Sequence, residues 1–207
     1  MRHGTFRVHQ QHRRLGFVLD IPRADGRPVA HMNIEGVAFA HRAYARWRAA
    51  AIAVVKQASA AHAALDARFQ VGPPKTLGLG TQGAGFLSVP QVIGDRLLLH
   101  GRVQAETGFY PQHPLHDDPG DHVNAAQLLD CAMQASHLLM GPEGVDPKAP
   151  LRCRAGRAQF WKLLELDSLF EVILQSREDL PGGAQQLQYV FRRAHRDYAE
   201  IVLDLCA

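Results

Sequence analysis

Cysteine is scarce in this 207-residue chain. The three present (Cys131, Cys153 and Cys206) form no CxxC pair, which argues against both a disulfide framework and a structural zinc site. Long apolar runs are missing too: nothing approaches the ~18 residues a membrane-spanning helix needs. The opening stretch, MRHGTFRVHQQHRR, is basic and lacks the apolar core of an export signal. A reducing cytoplasm is therefore the expected compartment. Acidic residues are sparse at the front, where residues 1–50 carry nine arginines against Asp20, Asp25 and Glu35. Such a segment can meet nucleic acid, a membrane surface or an acidic protein. A solvated basic face is the plainer reading, because no nucleic-acid recognition fold accompanies it. Neither nucleic acid nor membrane is expected as a partner.

What remains is ordinary globular composition, 46% hydrophobic and 21% charged. Residues 15–21 and 27–34 flank a turn at Asp25-Gly26 and read as a hairpin. From Gly36 onward Ala40, Tyr44, Trp47, Ala51, Val54, Val55 and Ala58 fall at helical spacing. They predict a helix running to about Phe69, where Gly72-Pro73-Pro74 follows as a stop. Tyr44 and Trp47 belong to that stripe and read as packing. Residues 78–83, GLGTQG, match the dinucleotide fingerprint in letters only. The motif needs a strand before it and a helix after it, whereas a Pro-Pro-Lys turn precedes it here and strand-like FLSVP follows. It reads as a glycine-rich loop.

The second half is more regular. Residues 95–106 read as a strand, and a loop rich in His, Asp and Pro runs from Tyr110 to His122. NAAQLLDCAMQASHLLM then forms a helix apolar nearly all round, which is the pattern of a core helix. After a Gly/Pro linker at 141–150 come strand-like runs at 151–160, 166–176, 185–192 and 196–206. In the last, Ala199, Ile201, Leu203 and Leu205 fall on one face and Glu200 and Asp204 on the other. A strand, one buried helix and consecutive antiparallel strands describe an α+β domain of the hotdog type, a sheet wrapped around a central helix. The expected division is an N-terminal helical extension with a hairpin over 1–90 and the hotdog domain over 91–207.

The loop-to-helix junction carries the resemblance. Asp118, His122, Val123 and Asn124 fit the DxxGHVNN pattern of 4-hydroxybenzoyl-CoA-type thioesterases, with Asp121 and Ala125 departing from it. His122, Asn124, Ala125, Leu128, Cys131 and Gln134 resemble the HFNAxxLxxCxxQ pattern of FcoT-like acyl-CoA thioesterases, whose preceding strand is similar to Gly101–Tyr110. A second likeness is to 3-hydroxyacyl thioester dehydratases, which place a His 14 residues before an acid and a Gln four beyond. His116, Asp130 and Gln134 keep that spacing, although Asn124-Ala125 stands in place of their Pro-Gly. AfsA-like proteins share the Asp-His-Val lead-in.

These resemblances imply acyl-thioester chemistry on acyl-CoA or acyl carrier protein, no cofactor, and a homodimer. In the thioesterase reading Asp118 is general base or nucleophile, and His122 positions the loop or substrate. Asn124 caps the helix or orients the carbonyl or a water. Ala125, Gln134 and Tyr110 fall on the substrate-binding side. In the dehydratase reading His116 removes the α-proton and Asp130 handles the leaving hydroxyl. A non-catalytic acyl-binding or carrier-binding module is the contrasting class. The cluster His113, His116, His122, Asp117, Asp118 and Asp121 invites a metal, but it lacks a rigid HxxxH helix and the resembling families need none. No metal is expected. Arg42, Arg46 and Arg48 suit docking of an acidic carrier protein.

Overall fold

The computed structural model describes residues 5–11, 14–22, 28–37, 46, 48–50, 52–53, 69–79, 85–93, 96–104, 122–140 and 151–206. The chain divides into two units, Met1–Val54 and Val55–Ala207. In the first, strands β1 (Thr5–Gln11), β2 (Arg14–Pro22) and β3 (Pro28–Val37) form an antiparallel sheet in that order. β2 and β3 are the two runs flanking Asp25-Gly26. The register sets Phe6, Leu19 and Met32 in one cross-strand row, and Val8, Phe17 and Ile34 in another.

The helix expected from Gly36 to Phe69 falls mostly outside the described residues. Residues 46, 48–50 and 52–53 are helical, but Phe69 is not. Gly36 belongs to β3 and sits opposite Leu15 in the ladder. Ladder hydrogen bonds thus hold the backbone extended past the point where the Ala/Arg composition begins.

The second unit holds β4 (Gln91–Ile93), β5 (Arg96–Gly101), β6 (His122–Val123), α1 (Ala125–Met140), β7 (Arg152–Phe160), β8 (Leu164–Glu165), β9 (Phe170–Leu180), β10 (Ala184–Arg193) and β11 (Arg196–Cys206). Six strands make one sheet in the order β4-β5-β9-β10-β11-β7, and every neighbouring pair is antiparallel. β6 and β8 form a separate two-stranded pair. A mostly antiparallel sheet with one helix packed against it is the arrangement that the hotdog reading anticipates. The expected strand over 95–106 is shorter, ending at Gly101. Among the described residues no helix is long and apolar enough to cross a membrane.

One apolar cluster joins helix to sheet. Leu128, Cys131, Ala132 and Ala135 of α1 share it with Leu99, Phe170, Val172, Leu187, Tyr189, Phe191, Ile201, Leu203 and Leu205. The alternation read in the last strand is real, since Ala199, Ile201, Leu203 and Leu205 are all buried; Tyr198 and Val202 on the other face are buried as well. Small residues bring the helix close. Ser136 Oγ donates to the Ala132 carbonyl at 2.8 Å, and it therefore accepts from the Tyr189 hydroxyl at 2.8 Å. Burial pushes that phenol well above its ordinary range and keeps it a donor.

Two glycines mark close approaches. A Cβ at Gly78 would stand 2.3 Å from the His137 imidazole, and Gly78 has φ +68. The first glycine of GLGTQG is thus needed by a turn seated against α1. At Gly101, directly opposite Phe170 in the β5–β9 ladder, a Cβ would fall 2.3 Å from the Phe170 ring. That ring lies across the glycine and tilts against Phe191, with centroids 6.0 Å apart. We expect Gly101→Ala to lower stability by about 1–3 kcal/mol through overpacking in urea unfolding, with part of the loss recovered by Phe170→Leu. An unchanged unfolding midpoint would contradict this packing.

Candidate functional site

The chain enters α1 through the short pairing of His122 with Glu165 and of Val123 with Leu164. Val123 and Leu164 are buried and fix the entry. Val123 precedes the cap and Leu128 lies in the second turn; both belong to the core, the relation of a hydrophobic staple. Between them Asn124 and Gln127 close a reciprocal cap. The Gln127 N–H donates to Asn124 Oδ1 at 2.9 Å, and the Asn124 N–H donates to Gln127 Oε1 at 2.9 Å. The Leu128 N–H, at 3.2 Å from the Asn124 carbonyl, makes the first backbone bond of the helix.

This arrangement determines which donors stay open. Ala125 and Ala126 are the first two helical residues, so their N–H groups have no acceptor within the helix, and both residues are exposed. The first turn carries no acidic side chain, and both capping side chains are neutral amides. No side chain of the cap or first turn places negative charge at the positive end of the helix dipole. Two backbone donors at such an end can polarise a carbonyl without reorganisation.

Asp130 lies one turn beyond Ala126, on the same stripe of the helix, and both are exposed. On a helix read from the sequence as apolar nearly all round, Asp130 emerges at the surface. Its carboxyl is nonetheless crowded. Burial of the group raises its pKa, opposed by a hydrogen bond from the Gln134 side chain. Gln134 is itself 1% exposed, and its Oε1 accepts the Phe86 N–H at 3.0 Å. That bond aims the amide nitrogen at Asp130 and ties the helix to residues 85–88. Next to it, burial and the Asp130 charge push the Cys131 thiol well above its usual range. This makes Cys131 a small core residue without nucleophilic character. Burial lowers the pKa of His137.

The described residues thus place His122, Asn124, Ala125, Asp130 and Gln134 on one helix and its lead-in. Tyr110, His116 and Asp118 lie outside the described residues, as does the His/Asp loop weighed for a metal, apart from His122. Among the described residues no group of three His, Cys, Asp or Glu could hold a metal ion. Sequence reasoning missed Gln127. The signal was present in the Asn-x-x-Gln spacing, a variant of the capping box.

No family model and no curated protein matches the chain. Solved structures do resemble it. A mutant form of phenylacetic acid degradation protein PaaI from Thermus thermophilus is 14% identical, covering 58% of this chain and 91% of that one, with TM-score 0.42. The E. coli PaaI protein from the phenylacetic acid degradation operon is 11% identical, covering 65% and 86%, with TM-score 0.38. AziG from S. sahachiroi is 15% identical, covering 66% and 96%, with TM-score 0.40.

The raised pKa of Asp130 carries a stability signature. With the folded value above 3.8, the unfolded chain gives up this proton first as pH rises. Stability therefore falls between the unfolded and folded values, and the full penalty is present at neutral pH. We expect Asp130→Asn to melt above the parent protein at pH 7, with the difference vanishing below about pH 4. A lower melting temperature for the variant at pH 7 would mean that the carboxylate is stabilised in place.

Proposed function

We propose that the protein hydrolyses an acyl thioester, carried on CoA or on an acyl carrier protein, with the carbonyl oxygen held at the N-terminus of α1. The observation that carries this reading is the reciprocal Asn124–Gln127 cap, which leaves the Ala125 and Ala126 N–H groups open at an uncharged helix start. In this scheme Asp118 takes a proton from water as its oxygen bonds to the carbonyl carbon. The oxyanion formed is met by the two N–H groups. The C–S bond then breaks, the thiolate receives the proton, and free acid and thiol leave. His122 positions the loop, Asn124 fixes the first turn, and Gln134 acts through Asp130 and Phe86, while Ala125 and Tyr110 contact substrate. No metal or cofactor takes part. A homodimer has a sheet edge to use: β7 is exposed along its whole length and pairs only with β11 among the described residues.

One observation favours a second reading, dehydration of a 3-hydroxyacyl thioester. A carboxyl whose pKa is raised, as at Asp130, keeps its proton further up the pH scale and can deliver it to a leaving hydroxyl. His116 takes the α-proton, the C–O bond breaks, and water and an enoyl thioester result.

Incubation with acyl-CoA and acyl-carrier substrates, including 3-hydroxyacyl forms, separates the readings by mass spectrometry. Hydrolysis gives free acid and thiol, and Asp118→Ala lowers that rate by ~10²–10⁴-fold. Loss of water with the thioester intact, sensitive to His116→Ala and Asp130→Ala, overturns hydrolysis in favour of dehydration. Tight acyl binding without turnover overturns both and marks a binding module.

A further inference from the structure

Strand β8 is two residues long, yet the segment that carries it is pinned on several sides. The Trp161 N–H donates to the Tyr198 carbonyl at 2.8 Å, and the Asp167 N–H donates to the Val103 carbonyl at 2.9 Å. Asp167 adopts a left-handed backbone, with φ 59, at that second tie. Leu164 and Leu169 are both buried. A side chain mounted on such a segment is held closely in place.

The side chain that this segment brings to the helix entry is Glu165. In the β6–β8 register Val123 stands opposite Leu164, and His122 stands opposite Glu165. Successive residues of a strand point to opposite faces. Val123 and Leu164 are buried in the core, which turns His122 and Glu165 together to the other face, where both are half-buried. Directly opposed residues of an antiparallel pair have Cβ atoms about 4.5–5.5 Å apart. A carboxylate at that separation can accept from an imidazole N–H. The first turn of α1 itself carries no acid, so this carboxylate stands across from His122 and not on the helix end that meets the carbonyl.

We infer that Glu165 is a positioning residue for hydrolysis, accepting a hydrogen bond from one ring nitrogen of His122 and so fixing the tautomer and orientation of the ring. The inference rests on the hydrolase reading above and extends the role of His122 from the loop to the attacking water. With one nitrogen of the neutral ring donating to Glu165, the other is an acceptor. Water brings two protons. One passes to Asp118 in the hydrolase reading, and the bare nitrogen of His122 accepts a hydrogen bond from the other. The water oxygen is thereby aimed at the carbonyl carbon.

The test is Glu165→Leu in ¹⁵N-labelled full-length protein, a change that keeps side-chain bulk and removes the acceptor. In the parent the two ring nitrogens of His122 should give well-separated signals, one protonated and one bare. In Glu165→Leu they should move toward the averaged values of a ring that exchanges tautomers, a readout that needs no turnover. The melting temperature should hold, while kcat for acyl-CoA hydrolysis falls by ~10–100-fold, the usual cost of losing a carboxylate behind a functional histidine, and KM changes little. Glu165→Gln keeps a carbonyl oxygen that accepts the same N–H, and should retain most of kcat and the separated signals. In a His122→Ala background Glu165→Leu should cost nothing further. Parent-like His122 signals in Glu165→Leu, or in Glu165→Ala if the leucine variant does not fold, overturn the inference and leave the hydrolase reading standing. A further loss of kcat in the His122→Ala background does the same. Failure of the unaltered protein to release thiol from any acyl thioester overturns both, and that result is read without any variant.

Discussion

The start of a helix leaves four backbone N–H groups without intrahelical acceptors, and the manner in which α1 meets them organises the second unit. Asn124 and Gln127 satisfy one another, while Val123 and Leu128 clamp the turn from the apolar side. The β6–β8 pair delivers the chain at a fixed angle. What is left open is a pair of adjacent N–H groups at an exposed, uncharged helix end, with Asp130 one turn along the same stripe. Had the cap been built from Asp and Glu, the same fold would present negative charge where a developing oxyanion needs positive potential.

Holding that end in place is the task of the rest of the helix. Ala132, Ala135 and Ser136 let the backbone approach β10 closely enough for Ser136 to meet Tyr189 at 2.8 Å. Gln134 reaches the other way to the Phe86 N–H, and His137 lies against the bare backbone of Gly78. Three contacts of different chemistry thus fix both the rotation and the depth of the helix. The Asp130 carboxyl is held by the same Gln134 that anchors Phe86; burial raises its pKa and this hydrogen bond opposes the rise.

Much of this was legible in the residues. Period-two alternation in 196–206 located a core strand, and the apolar character of 124–140 located the helix. Rejecting GLGTQG as a nucleotide motif agrees with Gly78 serving a turn against His137. The departures have physical causes. β1 mixes polar and apolar residues too evenly for its pattern to stand out, and Gly36 is kept in a ladder that composition does not reveal. The helix reads as apolar nearly all round, but the i,i+4 stripe of Ala126 and Asp130 faces the surface. Gln127 was overlooked because a polar residue in a first turn passes for solvent-facing; only the structure shows both ends of its amide enclosed. Asp118, His116 and Tyr110 remain assignments by resemblance.

The central claim is that the first turn of α1 polarises a carbonyl. It is tested most directly by the infrared stretch of a ¹³C-labelled carbonyl in a non-hydrolysable acyl-CoA analogue, with methylene in place of sulfur, bound to the protein. Donation from the helix start predicts a stretch at lower frequency than in water. The downshift should shrink in Asn124→Ala, where the cap loses its side-chain acceptor. A bound carbonyl absorbing at its aqueous frequency, or one whose downshift is indifferent to Asn124, would contradict the account.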